Sequence, residues 1–344
     1  MAFGSFDAVS SNKKRKKTGI PEPTERIKKP IPTDVVKPPV ITGGGGGKLP
    51  PPPPPVVVDG KGAVMQIRIA VAGRSIAEIL DYIAGLHTNM NNLVGNAGLA
   101  FFSEAGAQLG ELLERQKAIS GIFTDPEMTE YRVADGLENG DGAPKAVSWT
   151  LSKAGVQSFR FQISFDCVTY AQLLGDRLPA CDMLWVFGDA LLYAQNAPSA
   201  PGGSDALALI ARGKEANLPV SLIAGHVEQF GRIRERDSVC SVDGDVCKKV
   251  REALGGGDDT AFIPVQVYGG LTFKTVEGDG CLVFEENKFG GMREYKPEGC
   301  HIPLLIAMEQ VNAGADSAGN EILEAIRKLN RVQRTEYASA GLDI

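Results

Sequence analysis

Two short runs decide the fold: Met183-Leu-Trp-Val-Phe187 and Pro219-Val-Ser-Leu-Ile-Ala224. Each is almost wholly apolar, without the alternation that marks a half-solvated strand. A parallel strand covered on both faces reads this way. Helical patterning follows each of them, at 205–216, opened by Ser204, and at 246–254. Working towards the N-terminus, 168–178 reads as a helix and 159–165 and 146–151 as strands. Residues 134–145, rich in Gly and Asp, form a connection, and a helical stretch runs from about 99 to 119. Residues 66–72 are a β-branched run ending at Gly73, followed by a helix that Ser75 caps and on which Ile76, Ile79, Leu80 and Ile83 share a face. Towards the C-terminus come a strand at 262–268, a hairpin from 271–275 and 281–284, and helices at 301–312 and 318–332. Short apolar strands alternating with longer helices predict an α/β domain over 63–335, its mostly parallel sheet covered on both faces and carrying insertions. The runs 183–187 and 219–224 are expected to be adjacent central strands.

Composition divides the chain differently. Of 344 residues 43% are hydrophobic and 23% charged, enough apolar material for a sizeable core. Twelve of the 21 prolines and the five-glycine run 43–47 lie within residues 1–60. That stretch cannot bury enough apolar surface to offset its ordering entropy, so 1–62 reads as a disordered arm and 336–344 as a flexible tail. Residues 1–60 carry ten Lys/Arg against five Asp/Glu; with a net charge of −6 overall, the remainder carries −11. An acidic body argues against a broad phosphate-binding surface. Lys13-Lys14-Arg15-Lys16-Lys17 is a candidate patch for an anionic partner, nucleic acid or membrane surface. The six prolines from Pro50 to Pro55 are expected in polyproline II form, a ligand for an aromatic-lined polyproline-binding domain. A solubilising spacer accounts equally well for both. No apolar stretch reaches the roughly 18 residues of a membrane span, and the start lacks a signal-peptide core. Six sparse cysteines with no CxxC fit a reducing, cytoplasmic setting.

An α/β domain invites a search for a phosphate loop, G-x-x-x-x-G-K-[ST], whose amides and Lys hold phosphates and whose hydroxyl holds Mg²⁺. Gly47-Lys48 has Thr42 in place of the first glycine, Leu49 after the lysine, and prolines where a helix must start. The turn after the 66–72 strand reads Ala72-Gly73-Arg74-Ser75-Ile76: one glycine and one arginine, an ordinary strand-to-helix turn or a small anion site. His87, His226 and His301 sit in no metal motif, and Cys240 and Cys247 lack zinc-ligand spacing.

The order of segments resembles a Ras-like G domain. Phe161-Gln-Ile-Ser-Phe-Asp166 followed by Ala180-Cys-Asp182-Met-Leu-Trp-Val-Phe-Gly-Asp189 resembles the strand, switch and strand at its middle. Leu218-Pro-Val-Ser-Leu-Ile-Ala-Gly225-His226-Val-Glu228 is similar to the strand and loop that read guanine. Ile263-Pro-Val-Gln-Val-Tyr-Gly269 and Gly299-Cys-His-Ile-Pro-Leu-Leu-Ile-Ala-Met308 resemble the last strand with its base-contacting loop and the start of the final helix. The resemblance implies a three-layer, P-loop NTPase-like fold with a pocket at Gly73, Arg74, Ser75, Asp166, His226 and Glu228. Departures from the family pattern fall on the chemistry. Asp166-Cys-Val-Thr169 stands where D-x-x-G belongs, Gly225-His226-Val227-Glu228 where N/T-K-x-D belongs, and the phosphate-loop lysine is missing. Phosphoryl transfer depends on such charge stabilisation. The resemblance therefore implies a pseudo-GTPase with a vestigial pocket, no catalytic residue, no metal and weak or absent GTP binding.

Three functions follow: a non-catalytic GTPase-like module or scaffold within an intracellular multi-protein system, an NTPase with a remodelled phosphate site using Arg74, and an adaptor for nucleic acid or membrane acting through the arm.

Overall fold

The computed structural model describes residues 56–59, 62–97, 99–103, 107–133, 145–153, 156–175, 178–189, 203–225, 260–277, 281–286, 294–311, 320–325 and 327–328. In chain order the elements are β1 (Val56–Asp59), β2 (Gly62–Gly73), α1 (Ile76–Ala97), β3 (Leu99–Ser103), α2 (Ala107–Thr124), β4 (Glu130–Val133), β5 (Lys145–Lys153), β6 (Val156–Thr169), α3 (Tyr170–Gly175), β7 (Met183–Asp189), α4 (Gly203–Glu215), β8 (Val220–Gly225), β9 (Thr260–Pro264), β10 (Leu271–Val276), β11 (Leu282–Glu286) and α5 (Ile302–Val311). The large sheet has the order β3-β5-β6-β2-β7-β8-β9, with β1 pairing beside β2. The strands β6, β2, β7, β8 and β9 are mutually parallel, whereas β3 and β5 run antiparallel to their neighbours. A second, antiparallel sheet has the order β10-β11-β4.

Side-chain alternation makes three layers. On one face Ile67, Ile69 and Val71 of β2, Trp185 and Phe187 of β7 and Ile223 of β8 join α1 and α5 in one core cluster. On the other, Ala70, Ala72, Leu184, Val186, Leu222 and Ala224 pack against α3 and α4 in a second. Both faces of β7 and β8 and of the C-terminal half of β2, from Ile69 onward, are thus dry, which explains their nearly unbroken apolar sequences, whereas Gln66 and Arg68 put exposed polar groups on the first half of β2. The result is a mostly parallel three-layer α/β fold with a small second sheet, and β7 pairs directly with β8 as expected.

Several expectations need correction. The stretch from 99 was read as helix, but its first five residues form β3, paired with β5; short apolar runs do not separate strand from helix by periodicity. The strand read at 159–165 continues to Thr169, because Phe161, Ile163, Phe165 and Cys167 keep period two and all are buried. The following helix is only Tyr170–Gly175. Asp166 is therefore not at a strand end. The strand read at 262–268 occupies Thr260–Pro264. The sheet also begins earlier than 63, since β1 and the start of β2 pair from Val56 onward. The helix at 246–254, the connection at 134–144, Cys240, Cys247 and nearly all of the arm lie outside the described residues.

Val186 and Leu222 face each other on β7 and β8, both fully buried. Val186→Asp or Leu222→Asp is expected to destabilise the protein by at least about 3 kcal/mol, read from urea unfolding, because the new carboxylate has no partner there.

Candidate functional site

The crest of the sheet is where an α/β fold places ligands. Gly73 at the end of β2 lies level with Thr169 at the end of β6. Two residues, Arg74 and Ser75, then lead into α1. Ser75 is 3% exposed, and its Oγ accepts the Glu78 N–H at 3.2 Å. Glu78, 4% exposed, takes an ion pair from Arg74 Nη2 at 2.8 Å. Ser75-x-x-Glu78 thus has the spacing of a capping box, and its carboxylate lies at the positive end of the helix. Thr169-x-x-Gln172 closes α3 in the reciprocal manner. Gln172 N–H donates to Thr169 Oγ1 at 3.3 Å, and Thr169 N–H donates to Gln172 Oε1 at 2.9 Å.

The expected pocket residues do not converge on one point. Asp166 sits opposite Ala70, three positions before the Gly73–Thr169 level, about 10 Å down the strand at the usual rise per residue. It shares its face with Ser164 and Gln162, towards the base of the sheet, where its charge is felt by Arg68 and Cys181. His226 and Glu228 lie outside the described residues. Gly73 and Gly225 have packing reasons to be glycine. A Cβ on Gly73 would lie 2.7 Å from Ile79 Cγ1, and one on Gly225 would enter the ring of Phe187. Among the described residues, no three His, Cys, Asp or Glu side chains gather as a metal site.

A cavity of about 680 Å³ opens at the other end of the sheet, lined by Leu178, Pro179, Cys181, Arg212 and Leu218 among others. Arg212 Nη1 donates to the Leu173 and Leu174 carbonyls at 2.6 and 3.0 Å, closing the end of α3. Burial pushes the Cys181 thiol up to about 11, so it is a poor nucleophile at neutral pH.

The most concentrated polar chemistry lies one helical turn below the crest, and the sequence patterns missed it. Asp81 on α1 is fully buried. Its carboxylate accepts from Arg115 Nη1 at 2.7 Å, from Tyr131 OH at 2.9 and 3.0 Å, and from Tyr268 OH at 2.9 Å. Burial, with Asp81 beside them, pushes both phenols well above their ordinary range. Burial works against the Arg115 charge, but the Asp81 carboxylate outweighs it and the guanidinium is held more firmly protonated. Arg115 also reaches Glu111 at 3.8 Å, and Glu111 accepts from Lys145 at 2.8 Å. A chain of charges therefore runs from α1 through α2 to the start of β5. In this protonated form each tyrosine donates to Asp81, and the cluster joins α1 to α2, to β4 and to the turn after β9. Further along α1, Asn89 Oδ1 accepts the Cys300 N–H at 3.1 Å, and its Nδ2 donates to the Pro297 carbonyl at 2.6 Å, fixing the turn before α5.

Two consequences are measurable. Asp81→Asn should cost about 3 kcal/mol by removing the charge that compensates Arg115, and a double-mutant cycle with Tyr268→Phe should show coupling of about 1 kcal/mol. Burial also lowers the His87 imidazole below its ordinary 6.5. Between that lowered value and about 6.5 the unfolded chain binds a proton that the folded one refuses, so stability falls as pH drops through this window. The loss of melting temperature between pH 7 and pH 5 should be smaller in His87→Gln than in the parent.

No helix among the described residues is long and apolar enough to cross a membrane. No family model and no curated protein matches the chain. Among solved structures it is similar to the GTPase-like domain of S. cerevisiae Ski7. The structure of that domain with GDP and inorganic phosphate has a TM-score of 0.39 and 10% identity, over 73% of this chain and 51% of that one. The structure with GTP has a TM-score of 0.39 and 11% identity over the same shares, so the chain spans about half the length of these structures.

Proposed function

We infer that the chain is a G-domain-like module without nucleotide chemistry, acting as a protein-interaction or scaffold component of a cytoplasmic multi-protein system. The observation that carries this reading is the closed N-terminus of α1. A phosphate site there needs free amides and a loop long enough to wrap the anion. This chain offers a two-residue turn, a capping hydroxyl and a buried carboxylate that pairs with Arg74 of the same turn. Glu78 supplies from within the negative group that a ligand would bring. An arriving phosphate meets that charge at close range, where the low dielectric enlarges repulsion. Lys13 to Lys17 and Pro50 to Pro55 fit the same reading as tethering sequences for an anionic surface and an aromatic groove.

The test is titration of GTP and ATP against the full chain, with and without Mg²⁺, beside a phosphate-release assay. No Mg²⁺-dependent hydrolysis above background and weak or no binding are expected. Glu78→Gln removes the internal anion and is expected to strengthen whatever phosphate binding remains. Micromolar GTP binding that Arg74→Ala and Glu228→Ala both weaken would establish the remodelled NTPase instead.

A further inference from the structure

We propose that the outer edge of β3 is a dimer interface, at which the strand pairs antiparallel with β3 of a second copy of this chain. An edge strand presents unpaired N–H and C=O groups that template pairing with another chain, and proteins blunt such edges with charge, proline, bulges or shortness. Four edges here are blunted. β9 ends in Pro264. β10 carries Lys274 at a break in register between Phe273 and Thr275. β4 carries Glu130 and Arg132, ion-paired to Lys274 and Glu277. β1 is four residues long and ends in Asp59. The exception is β3, Leu99-Ala-Phe-Phe-Ser103, which has neither charge nor proline and runs in unbroken register against β5. Among the described residues, no strand pairs with its outer side.

The inner side of the strand is anchored in the core. Leu99 is buried, and Phe101 packs edge-on against Trp149 with ring centroids 4.9 Å apart. A preformed edge loses little freedom on pairing. A second copy fits it better than a charged peptide does. An uncharged strand offers no charge to pair with, and twofold pairing about Phe101 sets residue 99 against 103 and 100 against 102 with no like charges opposed. Because the other edges are blunted, the isologous contact closes at two chains and does not propagate. The proposal is independent of the nucleotide reading, since β5 and β6 lie between β3 and β2.

Sedimentation velocity on the full chain tests it. The parent should be dimeric at about 100 µM, and Ala100→Lys should raise the dissociation constant about 5-fold, because like charges then stand on diagonal positions across the twofold. Ala100→Glu should do the same. An equimolar mixture of the two variants should restore the dimer, since the paired 100 positions lie on the same face at diagonal distance. Hydrogen exchange of the 99–103 amides in the parent, slower at high than at low concentration, gives the answer without any variant. A monomeric parent, a dimer that neither variant weakens, or a weakened dimer that mixing does not restore overturns the proposal.

Discussion

A carboxylate buried without partners is among the costliest groups a fold can contain, and Asp81 is fully buried on the central helix. Its three partner side chains come from α2, from β4 and from the turn after β9, separated from it in sequence by 34, 50 and 187 residues. None of those elements can shift far without leaving the charge uncompensated. The position of the small sheet relative to α1 is therefore specified by directional bonds as well as by apolar contact. Tyr131 and Tyr268, with ring centroids 5.4 Å apart, bring both kinds of contact to one place. An all-apolar seam would bury as much surface, but it would tolerate sliding that hydrogen bonds at 2.7–3.0 Å do not.

The same economy governs the crest. β2 and β6 end at one level, and each turns into a helix in which one first-turn amide, Glu78 N–H or Gln172 N–H, is met by a hydroxyl of its own strand–helix junction. Donors used in this way are not free for a ligand. The glycines at 73 and 225 stand where the sequence resemblance would place ligand-facing backbone, yet each is pressed against a core side chain, Ile79 or Phe187. Fold and chemistry separate cleanly here: the parallel order of β6, β2, β7, β8 and β9 needs only buried strands of the right length, whereas phosphate binding needs a particular loop.

What the sequence disclosed follows from this division. β7 and β8 are legible because burial on both faces leaves a nearly continuous apolar signature, β2 because its β-branched run ends at Gly73, and the hairpin of β10 and β11 because Gly and Asp mark its turn. β3 reads as helix in the sequence since four apolar residues before Ser103 carry no period, and only its pairing with β5 decides the matter. β6 reads short in the sequence, ending at Phe165, because the segment from Val168 carries a helical pattern that in the structure is only Tyr170–Gly175. The alternation itself runs on through Cys167, and Asp166 merely occupies the half-solvated face. Ser75 was legible as a cap from local sequence, and the Ser75-x-x-Glu78 spacing is a local signal too. Asp81 left no trace, because nothing near it in sequence hints at partners brought by other elements.

The insertions bear on the crest as well. The segment between β9 and α5, where the resemblance places a loop contacting a base, is instead the root of the β10–β11 hairpin. Gln266 and Glu298 bridge its two sides, and Leu271 N–H donates to the Tyr268 carbonyl at 2.9 Å to close the turn. Gly270 adopts φ 95°, and Gly269 lies so near the Lys296 carbonyl that no side chain fits between them. Tyr268, at the same turn, points into the Asp81 cluster. Withdrawing this turn to admit a ligand would break the hairpin root and expose the buried carboxylate together. The small sheet of β10, β11 and β4 and the buried Asp81 cluster are thus tied together at this one turn, so that neither can be displaced without the other.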